Sequence, residues 1–325
     1  MLLAPSLSYL GLPSAASGGP SPNRYYSLLI TDTFTGSGTM LIEEVELLES
    51  FNGGNVAPLA TVTCNVASVA GLPGYVVDGF SSKGEAATLA GHTYSHVTNI
   101  NNRPVRYIFD FGAGYSPAIA MYQISGIDGG NTPSDWTFES SPDGVTWTVI
   151  DTVVGEDTWA PYETKTYYID GYTPAYTGSP WGTWDEVRFQ IQPKKGNWSN
   201  ISGATMEVRA TPGGADQLGG ATVTASSTGV GSAANMVDGN NATEWGTVAV
   251  FLDDRWGEWI KAVPAAPIGI GEIRWVARAA NGVQAPIGIT LQARHTGGQW
   301  TTIIWWNPTG WTNGESRTRT DPKYI

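Results

Sequence analysis

The sequence predicts an all-β chain built twice over, with an extended arm in front. Three observations carry this reading. Gly (41 of 325 residues) and Pro (20) punctuate the whole chain, while charged residues make up only 14% of it. Between the punctuation run short segments rich in Thr, Val, Trp and Tyr, the residue types that suit a pleated, half-buried surface. And one stretch occurs twice. Ala60-Thr61-Val62-Thr63-Cys64-Asn65 leads to Val76-Val77-Asp78-Gly79, and Ala221-Thr222-Val223-Thr224-Ala225-Ser226 leads to Met236-Val237-Asp238-Gly239. Asp78 and Asp238 stand 160 positions apart (238 − 78).

The same composition excludes several classes. A net charge of −12 without any basic run argues against a nucleic-acid partner, because phosphate contact requires clustered Lys and Arg. The single Cys64 excludes an internal disulfide and a Cys-based zinc site, and its alternating position fits a small buried side chain. No stretch approaches the ~18 apolar residues of a membrane span. Met1 to Pro22 is apolar only in short pieces and lacks a basic n-region, so no signal peptide is expected. Residues 1–21 read as an arm, either a loose end or a segment docked on other subunits.

In chain order, Tyr25-Tyr26-Ser27-Leu28-Leu29-Ile30-Thr31 is a strand candidate. After the turn at Gly36-Ser37-Gly38, Met40 to Glu49 reads as a strand with Val45 and Leu47 on one face; turn signals on both sides weaken its helical alternative. The opening strand at 60–65 and the Val-Asp-Gly turn come next. Residues 80–104 read as a long polar loop. Strands follow at Arg106–Gly112 and Ile119–Ile124. Pro133–Ser141 and Val145–Ile150 form a hairpin about Pro142-Asp143-Gly144. Trp159 and Tyr162–Ile169 close the first copy.

Residues 170–184 then read as a linker region whose aromatics pack between domains. The second pass begins with Val187–Ile191, which matches Ser27–Thr31 at the offset of 160, and Ala204–Val208, which matches Glu43–Leu48 within a residue. Trp259-Ile260 answers Tyr107-Ile108, and Pro286–Gln292 answers Pro133–Glu139. The closing signature recurs as Trp159, Glu163, Lys165, Thr166 against Trp311, Glu315, Arg317, Thr318, each pair 152 apart. A period of this length implies two globular units rather than stacked short repeats. Residues 185–210 could close the first unit or open the second. Placing the strand pair first makes both copies complete, which gives an arm at 1–21, a first unit at 22–170, a linker at 171–181 and a second unit at 182–325. Strand exchange between units is the alternative.

These motifs resemble a known family. The strand with Val-Asp-Gly, the Asp-Trp strand, the Asp-Gly-Val-x-Trp hairpin and the Trp-x3-Glu-x-[Lys/Arg] close look like discoidin-type domains (coagulation-factor type C, galactose-binding-like fold). With the Tyr-Tyr-Ser-Leu-Leu-Ile-Thr and Glu-Val-Glu-Leu pair placed first, the chain looks like units of tailed-phage virion proteins. The resemblance covers nearly everything from Arg24 onward. It implies two tandem eight-stranded jelly-roll sandwiches with ligand surfaces at their loop ends, often for sugars, and a Ca²⁺ under the loops.

For calcium, the family pattern uses the Val-Asp-Gly loop, a Thr a few residues on and a Glu from the paired strand. The second copy offers Asp238 and Thr243 but has Thr205 at the strand position; the first offers Asp78 and Glu44 but lacks the Thr-x-Trp. The plainer reading is that both Asp residues cap tight turns. For sugar, an aromatic face with convergent polar groups is needed. The second copy offers Trp245, Trp256, Arg255 and Asp254, and the first His92, Tyr94, His96 and Asn101. Trp136, Trp147, Trp275 and Trp300 fall on strand patterns and read as core, while of the adjacent Trp305 and Trp306 at most one faces inward. His92 and His96 have no third ligand in view for a metal. Catalysis finds little support: there are three His, no Gly-x-Ser-x-Gly and no His-Glu-x-x-His. A glycosidase carboxylate pair stays open, although Glu163 and Glu315 recur as structural residues would.

Three functions are therefore expected, none of them enzymatic. The first is a phage virion surface protein, of tail tip, fibre or head exterior, that binds host-surface polysaccharide and contacts other virion proteins through residues 1–21, as a homo-oligomer in the particle. The second is a purely structural or decoration virion protein whose sandwiches pack on neighbouring subunits. The third is a secreted bacterial carbohydrate-binding adhesin, against which the missing signal peptide counts.

Overall fold

The alternation in the sequence becomes antiparallel sheet throughout. The computed structural model describes residues 20–34, 39–50, 53–66, 73–78, 95–98, 104–126, 131–160, 163–169, 182–192, 200–248 and 258–321. Among them there is no α-helix, only short 3₁₀ turns, and no helix long and apolar enough to cross a membrane. Residues 1–19 of the arm, and the linker, 171–181, lie outside the described residues.

Among the described residues, eight strands build the two main sheets of the first half: β1 (Tyr25–Thr33), β2 (Glu44–Leu48), β3 (Thr61–Cys64), β4 (Val105–Asp110), β5 (Met121–Ser125), β6 (Pro133–Ser141), β7 (Thr148–Val153) and β8 (Thr164–Tyr168). Eight more build the two main sheets of the second: β9 (Glu186–Gln192), β10 (Thr205–Arg209), β11 (Thr222–Ala225), β12 (Glu258–Val263), β13 (Glu272–Val276), β14 (Gly288–Arg294), β15 (Thr301–Trp306) and β16 (Ser316–Thr320), with shorter strand pairs beside them. The first set pairs as a five-stranded sheet, β3-β4-β1-β6-β7, and a three-stranded sheet, β8-β5-β2. The second repeats both orders, as β11-β12-β9-β14-β15 and β16-β13-β10. The described strands within residues 185–210 thus belong with the second set, since β9 lies between β12 and β14 and β10 pairs with β13.

Each half buries its own core between its two sheets. In the first, Tyr26, Leu28, Ile30, Tyr107, Phe109, Trp136 and Phe138 face Val45, Leu47, Tyr122 and Ile124. In the second, Val187, Phe189, Ile191, Ile260, Leu291 and Ile289 face Met206, Val208, Ile273 and Trp275. In the first core the polar tips of Trp136 and Tyr122 find partners. The Trp136 indole N–H donates to the Tyr122 hydroxyl at 2.8 Å, and that hydroxyl donates to Asp151 Oδ2 at 2.7 Å.

The duplication reaches individual hydrogen bonds. Asn55 Oδ1 accepts from the N–H of Leu47 and Ala57, and Asp216 Oδ1 from the N–H of Val208 and Leu218. Trp159 donates its indole N–H to the Pro133 carbonyl at 2.9 Å and Trp311 donates to Pro286 at 2.8 Å. Lys165 Nζ lies 4.8 Å from the Trp159 ring and the Arg317 guanidinium 4.6 Å from that of Trp311. Glu163 and Glu315 accept from the backbone N–H of Ala160 and Thr312, a structural task in both units. The hairpin turns place Gly144 and Gly297 at φ +73° and +77°, where a side chain would be strained.

The long excursions that leave β3 and β11 are closed at the neck by one polar side chain each. Asn65 Oδ1 accepts from the N–H of Arg106, and its amide donates to the Pro104 carbonyl. Ser226 Oγ accepts from the N–H of Trp259.

Four expectations change. The first-strand match is off by one: the inward residues Tyr26, Leu28 and Ile30 correspond to Val187, Phe189 and Ile191, an offset of 161 rather than 160. A one-residue slip exchanges the two faces of a strand. For the same reason Ile260, not Trp259, answers Tyr107. Residues 80–104 are not loop throughout, since Ser95–Thr98 pairs with Thr39–Ile42. Trp147 and Trp300 are not core. Both stand on the outer face of a five-stranded sheet, Trp147 beside the guanidinium of Arg106 and Trp300 between those of Arg188 and Arg294. Trp136 and Trp275 are buried as expected, and so is Trp184 from the linker region, which stacks on His295.

The two units meet sheet on sheet. The outer face of β8-β5-β2 lies against the outer face of the second unit's five-stranded sheet. Leu48 and Met121 of the first unit join the second unit's buried cluster, and Tyr168 packs against it.

Candidate functional site

The loop after β11 is where the sequence pointed. The 3₁₀ turn Ala233–Val237 is capped at its start by Ser232 and ends on Asp238. Asp238 Oδ1 accepts from the N–H of Asn240, and its Oδ2 from the Thr243 hydroxyl, both at 2.7 Å. Thr243 Oγ1 is also 2.7 Å from the Asn240 carbonyl. The Thr205 hydroxyl on β10 donates to Asn241 Oδ1 at 2.7 Å, which ties the strand to the loop. Behind the loop, Glu244 is held by the guanidinium of Arg278, which also donates to Gln284.

This arrangement brings Asp238 and Thr243 together as the pattern implied, but it is a loop closed by its own hydrogen bonds. It presents one carboxylate, one hydroxyl and one carbonyl where Ca²⁺ takes six to eight oxygens. Among the described residues no three His, Cys, Asp or Glu side chains come together.

The other candidates disperse. Trp245 is fully buried in the second core, its indole N–H 3.3 Å from the Ser227 carbonyl and Thr228 Oγ1, so its face is closed to a sugar. The pairing of Trp245–Gly246 with Ser202–Gly203 and Val230–Gly231 turns the ring inward. Asp254, Arg255 and Trp256 lie outside the described residues, as do His92, Tyr94 and Asn101; His96 is placed only by its backbone, opposite Leu41. Asp78 is half-buried at the end of Pro73–Val77. Glu44 is buried on β2, on the face turned to the second unit, where its charge acts on Arg188.

The polar groups that sequence reasoning missed lie in the seam. Glu46, 1% exposed, accepts from the backbone N–H of Thr302 with both oxygens, at 3.0 and 2.9 Å. The Thr302 hydroxyl lies 3.3 Å from the Gln292 amide nitrogen, and Gln292 Oε1 accepts from Arg188. Asn55 N–H donates to the Thr301 hydroxyl at 2.9 Å. A continuous chain thus runs from Trp300 through Arg188, Gln292 and Thr302 to Glu46. Burial raises the Glu46 pKa to about 7, against the pull of the Thr302 bonds and Arg188. Burial first, then Arg294, presses the Arg188 pKa down, though it stays well above neutrality. The seam is an ionic and amide network under low dielectric, costly to leave half-satisfied.

No protein-family model, curated protein or solved structure matches the chain.

Proposed function

We propose that the protein is a non-enzymatic surface component of a phage virion, made of two discoidin-like jelly-roll sandwiches, that adheres to host-surface polysaccharide through the loop end of its second unit. The observation that carries this is the matched strand order of the two halves, with individual bonds repeated at equivalent residues. A duplicated frame kept this closely, with its variation moved into the excursions after β3 and β11, suits a scaffold that presents loops. The contact is assigned to Asp254, Arg255 and Trp256, which follow the Asp238 loop in sequence and lie outside the described residues. Residues 1–21 would join other virion proteins, and the particle would hold several copies.

A second reading, a purely structural virion protein, is favoured by the seam: one sheet face of this chain is already spent on packing against another sandwich. Whole-cell adsorption and a polysaccharide array separate the two. Wild-type protein binds host polysaccharide and Trp256→Ala loses most of that binding. Absence of binding to any host polysaccharide overturns adhesion and leaves the structural reading.

A further inference from the structure

We propose that the cleft at the seam between the two units is a second binding site, for one or two residues of a neutral saccharide. It lies away from the loop ends and goes beyond the adhesion assigned to them. The half-open cleft has a volume of about 370 Å³ and is lined by Gln123 on β5, Thr166 and Tyr168 on β8, Trp305 on β15 and Arg319 on β16. That size falls within the range of small-ligand pockets.

The chemistry of the lining selects the ligand. Gln123 is 2% exposed, yet among the described residues nothing bonds to its Oε1. The same holds for Trp305 Nε1 and Arg319 Nε. A buried donor or acceptor without a partner costs about 1–3 kcal/mol; these three belong to residues that line the cleft but are themselves closed off from it, so a ligand that turns their side chains toward the space would supply the missing partners. The three comprise one acceptor and two donors, which suits a ligand bearing hydroxyl groups, since each hydroxyl can both give and take. An apolar ligand would leave all three unsatisfied. The indole of Trp305 and the ring of Tyr168 add the flat apolar faces on which a sugar's C–H side rests. These two rings come from different units, so a bound sugar would touch both.

Charge removes the acidic alternatives. The cleft's lysine, Lys165, is committed: its Nζ lies 2.6 Å from Glu156 Oε1 and 2.7 Å from Thr158 Oγ1. Glu163 and Asp321 also border the space, so carboxylates outnumber cations there. A phosphate, a uronic acid or a sialic acid would meet that repulsion together with the net charge of −12.

The test uses the full chain and saturation-transfer NMR. The probes are neutral oligosaccharides ending in galactose, glucose, mannose or N-acetylglucosamine, with oligogalacturonate as the acidic control. At least one neutral probe binds at millimolar concentration and oligogalacturonate does not. Thr166→Trp, which fills the cleft from its rim without touching either core, weakens that binding on the order of tenfold or more. Gln123→Met weakens it too while leaving the melting temperature equal or higher, because an unsatisfied amide gives way to an apolar chain of similar length. Neutral binding that both variants leave intact, but Trp256→Ala removes, overturns the cleft and keeps the loop-end adhesion. Failure of every neutral probe, or preference for oligogalacturonate, overturns the cleft outright.

Discussion

Glu46 and Glu207 hold the same place in the two units and have opposite surroundings. Both stand at the middle of the inner edge strand of a three-stranded sheet, pointing away from the core. Glu46 is sealed beneath the second unit, whereas Glu207 stays half-buried between the guanidiniums of Arg209 and Arg274. Their neighbours change in step. Leu48, Met121 and Gln123 of the first unit are replaced by Arg209, Glu272 and Arg274 in the second. The five-stranded sheets show the reverse face of this change. Gln190 and Thr302 of the second unit are 1% and 2% exposed, while their counterparts Leu29 and Val149 stand partly open, Val149 at 52%. Duplication kept the inward positions and rewrote the outward ones according to what covers them.

That comparison can be broken most forcefully at what the units share. Trp159→Ala and Trp311→Ala each remove a buried ring, an indole hydrogen bond and a cation resting on it, and each is expected to destabilise its own unit by about 3–5 kcal/mol. Thermal unfolding followed by near-ultraviolet circular dichroism measures both. Costs that differ several-fold would mean the two staples are not equivalent.

The next largest effect separates the two faces. Arg188→Met removes the cation whose charge acts on Glu46 and Glu44 and leaves the buried Gln292 Oε1 without its donor, at about 1–3 kcal/mol. Glu207→Ala, at bridges whose side chains still reach solvent, costs about 1 kcal/mol. Chemical denaturation gives both values, and equal costs would refute the difference in burial.

The pH dependence sharpens the comparison at Glu46 itself. The Glu46 carboxyl holds its proton more tightly in the folded chain, with a pKa of about 7, than at its ordinary 4.5. Its contribution to stability is therefore complete below about pH 4.5 and is lost as the pH rises through about 7. The melting temperature of the wild type should fall over that interval more than that of Glu46→Gln, which keeps an acceptor for the Thr302 N–H and cannot ionise. Parallel profiles for the two proteins would remove Glu46 as the titrating group.

Much of the frame was legible in the sequence because its signals are local. The Val-Asp-Gly turns, the Asp-Gly and Gly-Gly hairpins and the Trp-Glu-cation close each work within a few residues, so their spacing survives in the text. The first strand misled by one position because Leu28-Leu29-Ile30 is apolar on both faces, and such a run does not declare its register. The seam was illegible for a different reason. Glu46, Gln123 and Arg188 occupy outward positions of amphipathic strands, where a polar residue ordinarily meets water, and nothing in one strand says that another sheet will cover it. Trp245 misled in the opposite sense, since a Trp near a turn looks presentable until three short strands close over it. Trp305 and Trp306 did divide as adjacent strand residues must, one toward the cleft and the other packed on the second core.

The necks at Asn65 and Ser226 carry a consequence for engineering. Each bond fixes the two ends of an excursion to the sheet before anything between them is specified, so loop closure there is already met by the frame. In the second unit the exposed tip from Asp238 to Thr243 is in effect an exchangeable cassette, while Met236, Val237 and Trp245 on its flanks belong to the core and have to stay. A foreign peptide spliced into that tip would be presented from a fixed base, and the chain could serve as a display scaffold.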